Sequence, residues 1–168
     1  MTTDQSKSWL LSFEIKPIGI EYGWNNIVHF NSLPTDDYYK YGSRMPAIWF
    51  ISGTTQLHMR FSANKVLPMY NHDKNLTQNE FTHIQLIQRP NDQGKYMLSV
   101  YIGGVKVYGI ENKDARSWNN VDAYVSSPLF RPAKAYVRNF VYKNFAGGKP
   151  LISLHSCYKS YRRSCKFA

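Results

Sequence analysis

The chain has 168 residues, 43% of them apolar and 15% aromatic, with 13 tyrosines and 9 phenylalanines. That length suits one domain with a core built without metal or disulfide staples, and no apolar run is long enough to span a bilayer. The formal charge is +10, and its placement says more than its size. Nine Lys and Arg residues and no Asp or Glu lie between Arg131 and Ala168, which points to a polyanionic partner for the basic end.

Taken in chain order, the hydropathy pattern is that of strands. Trp9, Leu11, Phe13 and Ile15 alternate with Leu10, Ser12, Glu14 and Lys16, so 9–16 reads as a half-buried strand ended by Pro17. Residues 26–30 form a second strand. Residues 47–51 are apolar at successive positions, as in a strand covered on both sides. In 56–61, Leu57, Met59 and Phe61 face one way, and Gln56, His58 and Arg60 the other. A strand at 81–88 ends in the turn cluster Arg89-Pro90-Asn91-Asp92-Gln93-Gly94. Residues 96–102 and 105–110 flank Gly103-Gly104, the signature of a two-residue hairpin. Strands at 121–125 and 135–142 complete about nine.

No segment keeps a 3.6-residue apolar period, so helix content is small and parallel βαβ folds are disfavoured. The expected fold class is all-β, a two-sheet antiparallel β-sandwich. It is expected to occupy residues 1–146, with a basic, cysteine-containing appendage over 147–168.

Seven segments in order, WLLSFEI (9–15), WNNIVHF (24–30), YGSRMPAIWF (41–50), QLHMRF (56–61), YMLSVYIG (96–103), NVDAYVSSP (120–128) and VRNF (137–140), resemble concanavalin A-like, laminin-G-like jelly-roll modules of the invertebrate extracellular type. The resemblance covers roughly residues 8–143. It implies a jelly roll, a non-enzymatic role and ligands such as glycans or matrix proteins. It carries over no binding residue.

Chemistry narrows the function further. Jelly-roll glycosidases set two carboxylates on one strand face, and no such pair falls on an expected strand. No G-x-S-x-G elbow, H-E-x-x-H or P-loop is present. Asn71-x-Asp73-x-Asn75 starts like a calcium loop, but Leu76 and Thr82 replace the glycine and the acid it requires. No cofactor is expected; calcium is possible, with no motif behind it.

Sugar sites combine a flat aromatic face with planar hydrogen-bonding groups. Two places offer both. One is the loop holding Asp37, Tyr38, Tyr39, Tyr41 and Arg44. The other is a sheet face of His58, Arg60 and Gln85, with Gln56, His83 and Tyr101, if those strands are neighbours. Lys159, Arg162, Arg163 and Lys166, interleaved with tyrosines, suit phosphates or sulfates. Cys157 and Cys165 suggest a disulfide, and Asn75-Leu76-Thr77 is an N-glycosylation sequon. These two features favour an extracellular setting, although the first residues show no apolar signal segment.

The leading expectation is a lectin-like domain binding carbohydrate, anionic glycans above all. The alternatives are a self-assembling scaffold of a matrix or biomineral and, third, a jelly-roll glycoside hydrolase. Expected partners are glycans or other polyanions, with further copies of the chain or matrix proteins in the scaffold case. Nucleic acid is disfavoured, since no nucleic-acid fold motif appears.

Overall fold

A computed structural model describes residues 2–33, 37, 39–146 and 149–150. Every element among them is a strand: β1 (Thr2–Gln5), β2 (Trp9–Pro17), β3 (Asn25–Asn31), β4 (Ala47–Phe50), β5 (Leu57–Arg60), β6 (Met69–Asn71), β7 (Thr82–Pro90), β8 (Tyr96–Ile102), β9 (Val105–Glu111), β10 (Trp118–Val125), β11 (Arg131–Pro132), β12 (Ala135–Ala146) and β13 (Lys149–Pro150). They form two sheets. One runs β1-β10-β3-β4-β5-β6, with β11 parallel to β3, and the other runs β13-β12-β2-β7-β8-β9. All other pairings are antiparallel.

The expected alternation holds in β2, where Trp9, Leu11, Phe13 and Ile15 are buried and the residues between them are half-buried. Leu11 pairs with Leu86, and Phe13 with Ile84, keeping one face of the second sheet apolar across strands. The first sheet answers with Val28, Phe30, Ile48, Phe50, Leu57 and Met59, all buried. Phe13 stacks on Phe140 at 5.9 Å, and Phe30 meets Tyr142 at 4.9 Å between ring centroids. The Tyr142 hydroxyl donates to Asn144 Oδ1 at 3.0 Å, so its burial leaves no orphan. Gly103 and Gly104 take φ of 57° and 82°, the two positive values a type I′ hairpin needs between β8 and β9.

The two sheets differ in how their outer faces are treated. β2 alternates buried and half-buried residues, as a solvated outer face requires. All seven residues of β3 and all four of β4 are buried. The seven-stranded sheet is therefore covered on both sides at β3 and β4. The sequence pattern at 47–51 already indicated this cover, and the structure extends it to β3.

The β1, β6, β11 and β13 strands had no sequence signal. β1 is held by pairing with β10, including Thr2 opposite Asp122, a contact that no local pattern announces. The Cys157 and Cys165 pair and the basic Lys159, Arg162, Arg163 and Lys166 lie outside the described residues.

Phe13→Ala should remove about 3–5 kcal/mol of unfolding free energy, the usual cost of emptying a fully buried phenylalanine site. Denaturant unfolding would read it, and a loss below about 1 kcal/mol would contradict this account of the core.

Candidate functional site

Residues directly opposite one another across antiparallel strands share a sheet face. On the outer face of the seven-stranded sheet, Asn26, Trp49, His58 and Asn71 form one row, and His29, Ala47, Arg60 and Met69 the next. The register slips between Asn26 and Val28. Asn26 fills that bulge: its amide donates to the carbonyls of Val28 and Ile48, each at 3.1 Å, and its oxygen accepts from Ser127 N at 2.8 Å. The last bond anchors the 126–130 loop and brings the Phe130 ring edge-on to Trp49 at 5.4 Å.

Two other loops close over the face. Asn25 donates to the carbonyls of Glu21 and Gly23, and Gly23 N donates to Ser52 Oγ. This brace presents Trp24, half exposed at 51%, with its ring 4.7 Å from that of His58. In the 37–44 loop, Lys40 N donates to Asp37 O and Ser43 N to Lys40 O. The chain reverses twice there, helped by Gly42 at φ 100°. The tyrosines on this loop part company. Tyr39 goes to the groove side, and Tyr41 turns away, donating to Asp114 Oδ2 at 2.7 Å and packing edge-on to Trp118.

The result is a groove of about 430 Å³ lined by Trp24, Tyr39, Arg44, Trp49, His58, Arg60, Met69, Asn71 and Phe130. Its volume lies within the roughly 300–1,000 Å³ range typical of small-molecule sites. Arg44 is only 7% exposed, and its Cζ stands 5.2 Å from the ring centroids of both Tyr39 and Trp49. The rings offer cation–π stabilisation of about 0.5–2 kcal/mol each. No carboxylate of a described residue pairs with Arg44. Burial first, and then the charge of Arg60, push its pKa down. Arg44 Nε and Trp49 Nε1 are buried without a hydrogen-bond partner among the described residues. Orphaned donors of this kind are rare and costly.

His58 is held between these groups. Its Nδ1 bonds Asn71 Oδ1 at 2.5 Å, and Nε2 accepts from Arg60 Nε at 3.2 Å. Burial lowers its pKa, and the charges of Arg60 and Arg44 add to that effect, so the ring is neutral at pH 7. Behind the groove, His29 Nε2 donates to Ser43 O at 2.7 Å, tying β3 to the residue before Arg44. Burial takes the His29 pKa down to about 4.

The structure therefore regroups the expected site residues. Tyr39 and Arg44 from the loop meet His58 and Arg60 from the sheet. Asp37 is salt-bridged to Lys40 at 2.7 Å, and Tyr38 lies outside the described residues. Gln85 is a correction. Gln85, His83 and Tyr101 do share a face, but it belongs to the six-stranded sheet. His58 and Arg60 belong to the other sheet, so the composite face expected from sequence does not exist. Within the second sheet His83 is already engaged, with Nε2 at 2.7 Å from Ser12 Oγ. Asn75 is exposed, and its side-chain oxygen accepts from Thr55 N at 3.0 Å. Sequence reasoning missed Trp24, Trp49, Met69, Asn71 and Phe130. Alternation through Ala47–Phe50 would have turned Trp49 outward; the loop residues Trp24 and Phe130 gave no signal. Among the described residues, no three His, Cys, Asp or Glu side chains stand together as a metal site, and no helix is long and apolar enough to cross a membrane.

No protein-family model matches the chain, and no curated protein matches its sequence. Solved structures do resemble it. Domains LG4-5 of the mouse laminin α1 chain superpose with a TM-score of 0.52 at 11% identity, covering 94% of this chain and 42% of that one. The CBM40 of the Ruminococcus gnavus IT-sialidase, bound to α2,3-sialyllactose, gives 0.51 at 7%, covering 77% and 68%. The fold is a concanavalin A-like, laminin-G-like jelly roll. An endo-β-1,4-glucuronan lyase from Trichoderma reesei gives 0.47 at 12%, covering 71% of this chain; the chain spans 58% of that lyase's length.

Two stability predictions follow from the buried cation and the buried imidazole. Arg44→Met should leave the unfolding free energy unchanged or raise it by about 1 kcal/mol, because it removes an orphaned buried donor and a desolvated charge. A loss above about 1 kcal/mol would make Arg44 a structural residue. His29 has a folded pKa below its unfolded value, so its contribution is complete above the unfolded pKa of about 6.5. That contribution falls as pH drops from about 6.5 to about 4. Denaturant midpoints of the protein should decline over that window, and His29→Gln should flatten the decline.

Proposed function

We propose that this chain is a non-enzymatic, lectin-like domain that binds an anionic glycan in the groove over the seven-stranded sheet. The observation that carries this reading is Arg44: a buried guanidinium with no carboxylate partner among the described residues, flanked by the rings of Tyr39 and Trp49. Leaving a cation uncompensated at depth costs stability. A ligand that supplies the missing negative charge recovers that cost on binding. The exposed ring of Trp24 and the Met69 side chain offer apolar contact to the C–H face of a sugar. The sialidase CBM40 of similar fold binds an acidic saccharide, which agrees with this reading.

Binding without turnover is the second part of the proposal. No carboxylate of a described residue lines the groove, so the acid and nucleophile of a glycosidase have no counterpart there. An elimination on a uronate needs a free base, and both nitrogens of His58 are already occupied. This reading places the protein outside the cell, where acidic glycans are displayed. The basic C-terminal residues would add long-range attraction that salt screens.

A glycan array probed with the full chain at near-physiological salt tests the reading. Acidic glycans should be retained, and Arg44→Met should weaken them about tenfold or more, the worth of one charge-assisted hydrogen bond. Binding that vanishes with salt and ignores Arg44→Met would instead mean capture by the basic end. Assembly that grows with concentration, with no glycan retained, would favour the scaffold. Release of unsaturated or shortened sugars would make the protein an enzyme.

A further inference from the structure

We infer that the group recognised at the floor of the groove is a sugar carboxylate, gripped by the Nε edge of Arg44 and the indole N–H of Trp49. This inference rests on the groove being the glycan site and specifies its ligand.

The acceptors on the groove floor each already take a hydrogen bond. Asn71 Oδ1 takes the Nδ1 proton of His58, and His58 Nε2 accepts from Arg60. Arg60 Nη1 reaches Leu67 O at 3.4 Å. Four buried side-chain atoms of described residues lack a partner; the two that belong to groove-lining residues, Arg44 Nε and Trp49 Nε1, are both donors, while Asn25 Oδ1 and His29 Nδ1 belong to residues off the lining. Among the described lining residues, the remaining side chains at depth are apolar or donate only. Tyr39, which can do both, stands at the mouth with 83% of its surface exposed.

A sugar hydroxyl both donates and accepts. Seated against the two orphaned donors, its hydrogen would lose water with no unpartnered buried acceptor on the lining to meet it, so neutral sugars are disfavoured there. An oxyanion accepts only and meets every orphaned donor. A carboxylate is planar and brings two oxygens, and the N–H groups along a guanidinium edge match that spacing. A sulfate ester brings three terminal oxygens to a floor with two orphaned donors. The third would face the rings of Trp24 and Phe130, which also line the groove. The pyranose ring then lies toward Trp24 and Met69, and the groove volume of about 430 Å³ suits a terminal residue with at most a short extension.

The test titrates the full chain, by tryptophan fluorescence and calorimetry, with matched probes. These are methyl glucuronide against methyl glucoside, sialyllactose against lactose, and glucose 6-sulfate. At least one acid should bind about tenfold or more tighter than its neutral partner and tighter than the sulfate. Arg44→Lys keeps the charge but loses the planar edge, and should weaken that acid about tenfold. Trp49→Phe keeps a ring and loses the donor, and should weaken the acid several-fold. Equal binding of acid and neutral sugar would overturn the carboxylate claim and leave a lectin. Tighter binding of the sulfate would overturn it and leave an anion-binding lectin. No binding of any probe, together with a blank glycan array, would overturn both readings. If Arg44→Lys fails to fold, the comparison of probes on the unaltered chain still decides.

Discussion

The feature on which the rest depends is the two-sided burial of β3, β4 and β5. A sandwich needs only one apolar face per sheet, and the six-stranded sheet follows that rule in β2, where buried and half-buried residues alternate. The seven-stranded sheet does not: β3 and β4 are buried at every position. Its outer face must therefore carry side chains that tolerate cover. Asn26 is satisfied by three backbone partners, His29 is held neutral, and Trp49 and His58 are ring-packed. Three loops supply the cover, and the groove is the gap they leave.

Electrostatics decides which part of that gap matters. Two other arginines of the described chain have carboxylate partners: Arg138 binds Glu14 at 2.8 Å, and Arg116 lies against Asp114. Those pairs are partly solvated, so each adds little to stability. Arg44 is the reverse case, deep and without a carboxylate partner among the described residues, with two rings and a backbone frame fixing its place. Its own carbonyl accepts from Ser62 Oγ at 3.0 Å, and the preceding Ser43 carbonyl accepts from His29. A group held rigidly in an unfavourable state loses little entropy when a complementary ligand arrives. This is the pattern expected where local consistency gives way to function.

Much of the fold was legible because a strand's period of two is a local signal. Trp9 to Ile15 and the glycine pair at 103–104 needed nothing beyond their own neighbours. The site was legible only in pieces. His58 and Gln85 both point outward on alternating strands, and alternation cannot say that their strands lie in different sheets. Strand order depends on long-range pairings such as Thr2 with Asp122. Tyr39 and Tyr41 are two residues apart, and only the double turn through Gly42 sends one to the groove and the other to Asp114. Trp24 and Phe130 sit in loops, where no periodicity marks an aromatic as functional.

The most direct test of the central claim is an NMR titration of the full chain that follows side-chain N–H resonances as an acidic saccharide is added. If the groove floor awaits an oxyanion, the Trp49 indole and Arg44 Nε protons should move downfield together and gain protection from exchange with water. If those two signals stay still while backbone signals of the six-stranded sheet or the basic C-terminal residues shift, the ligand binds elsewhere and the account of Arg44 fails.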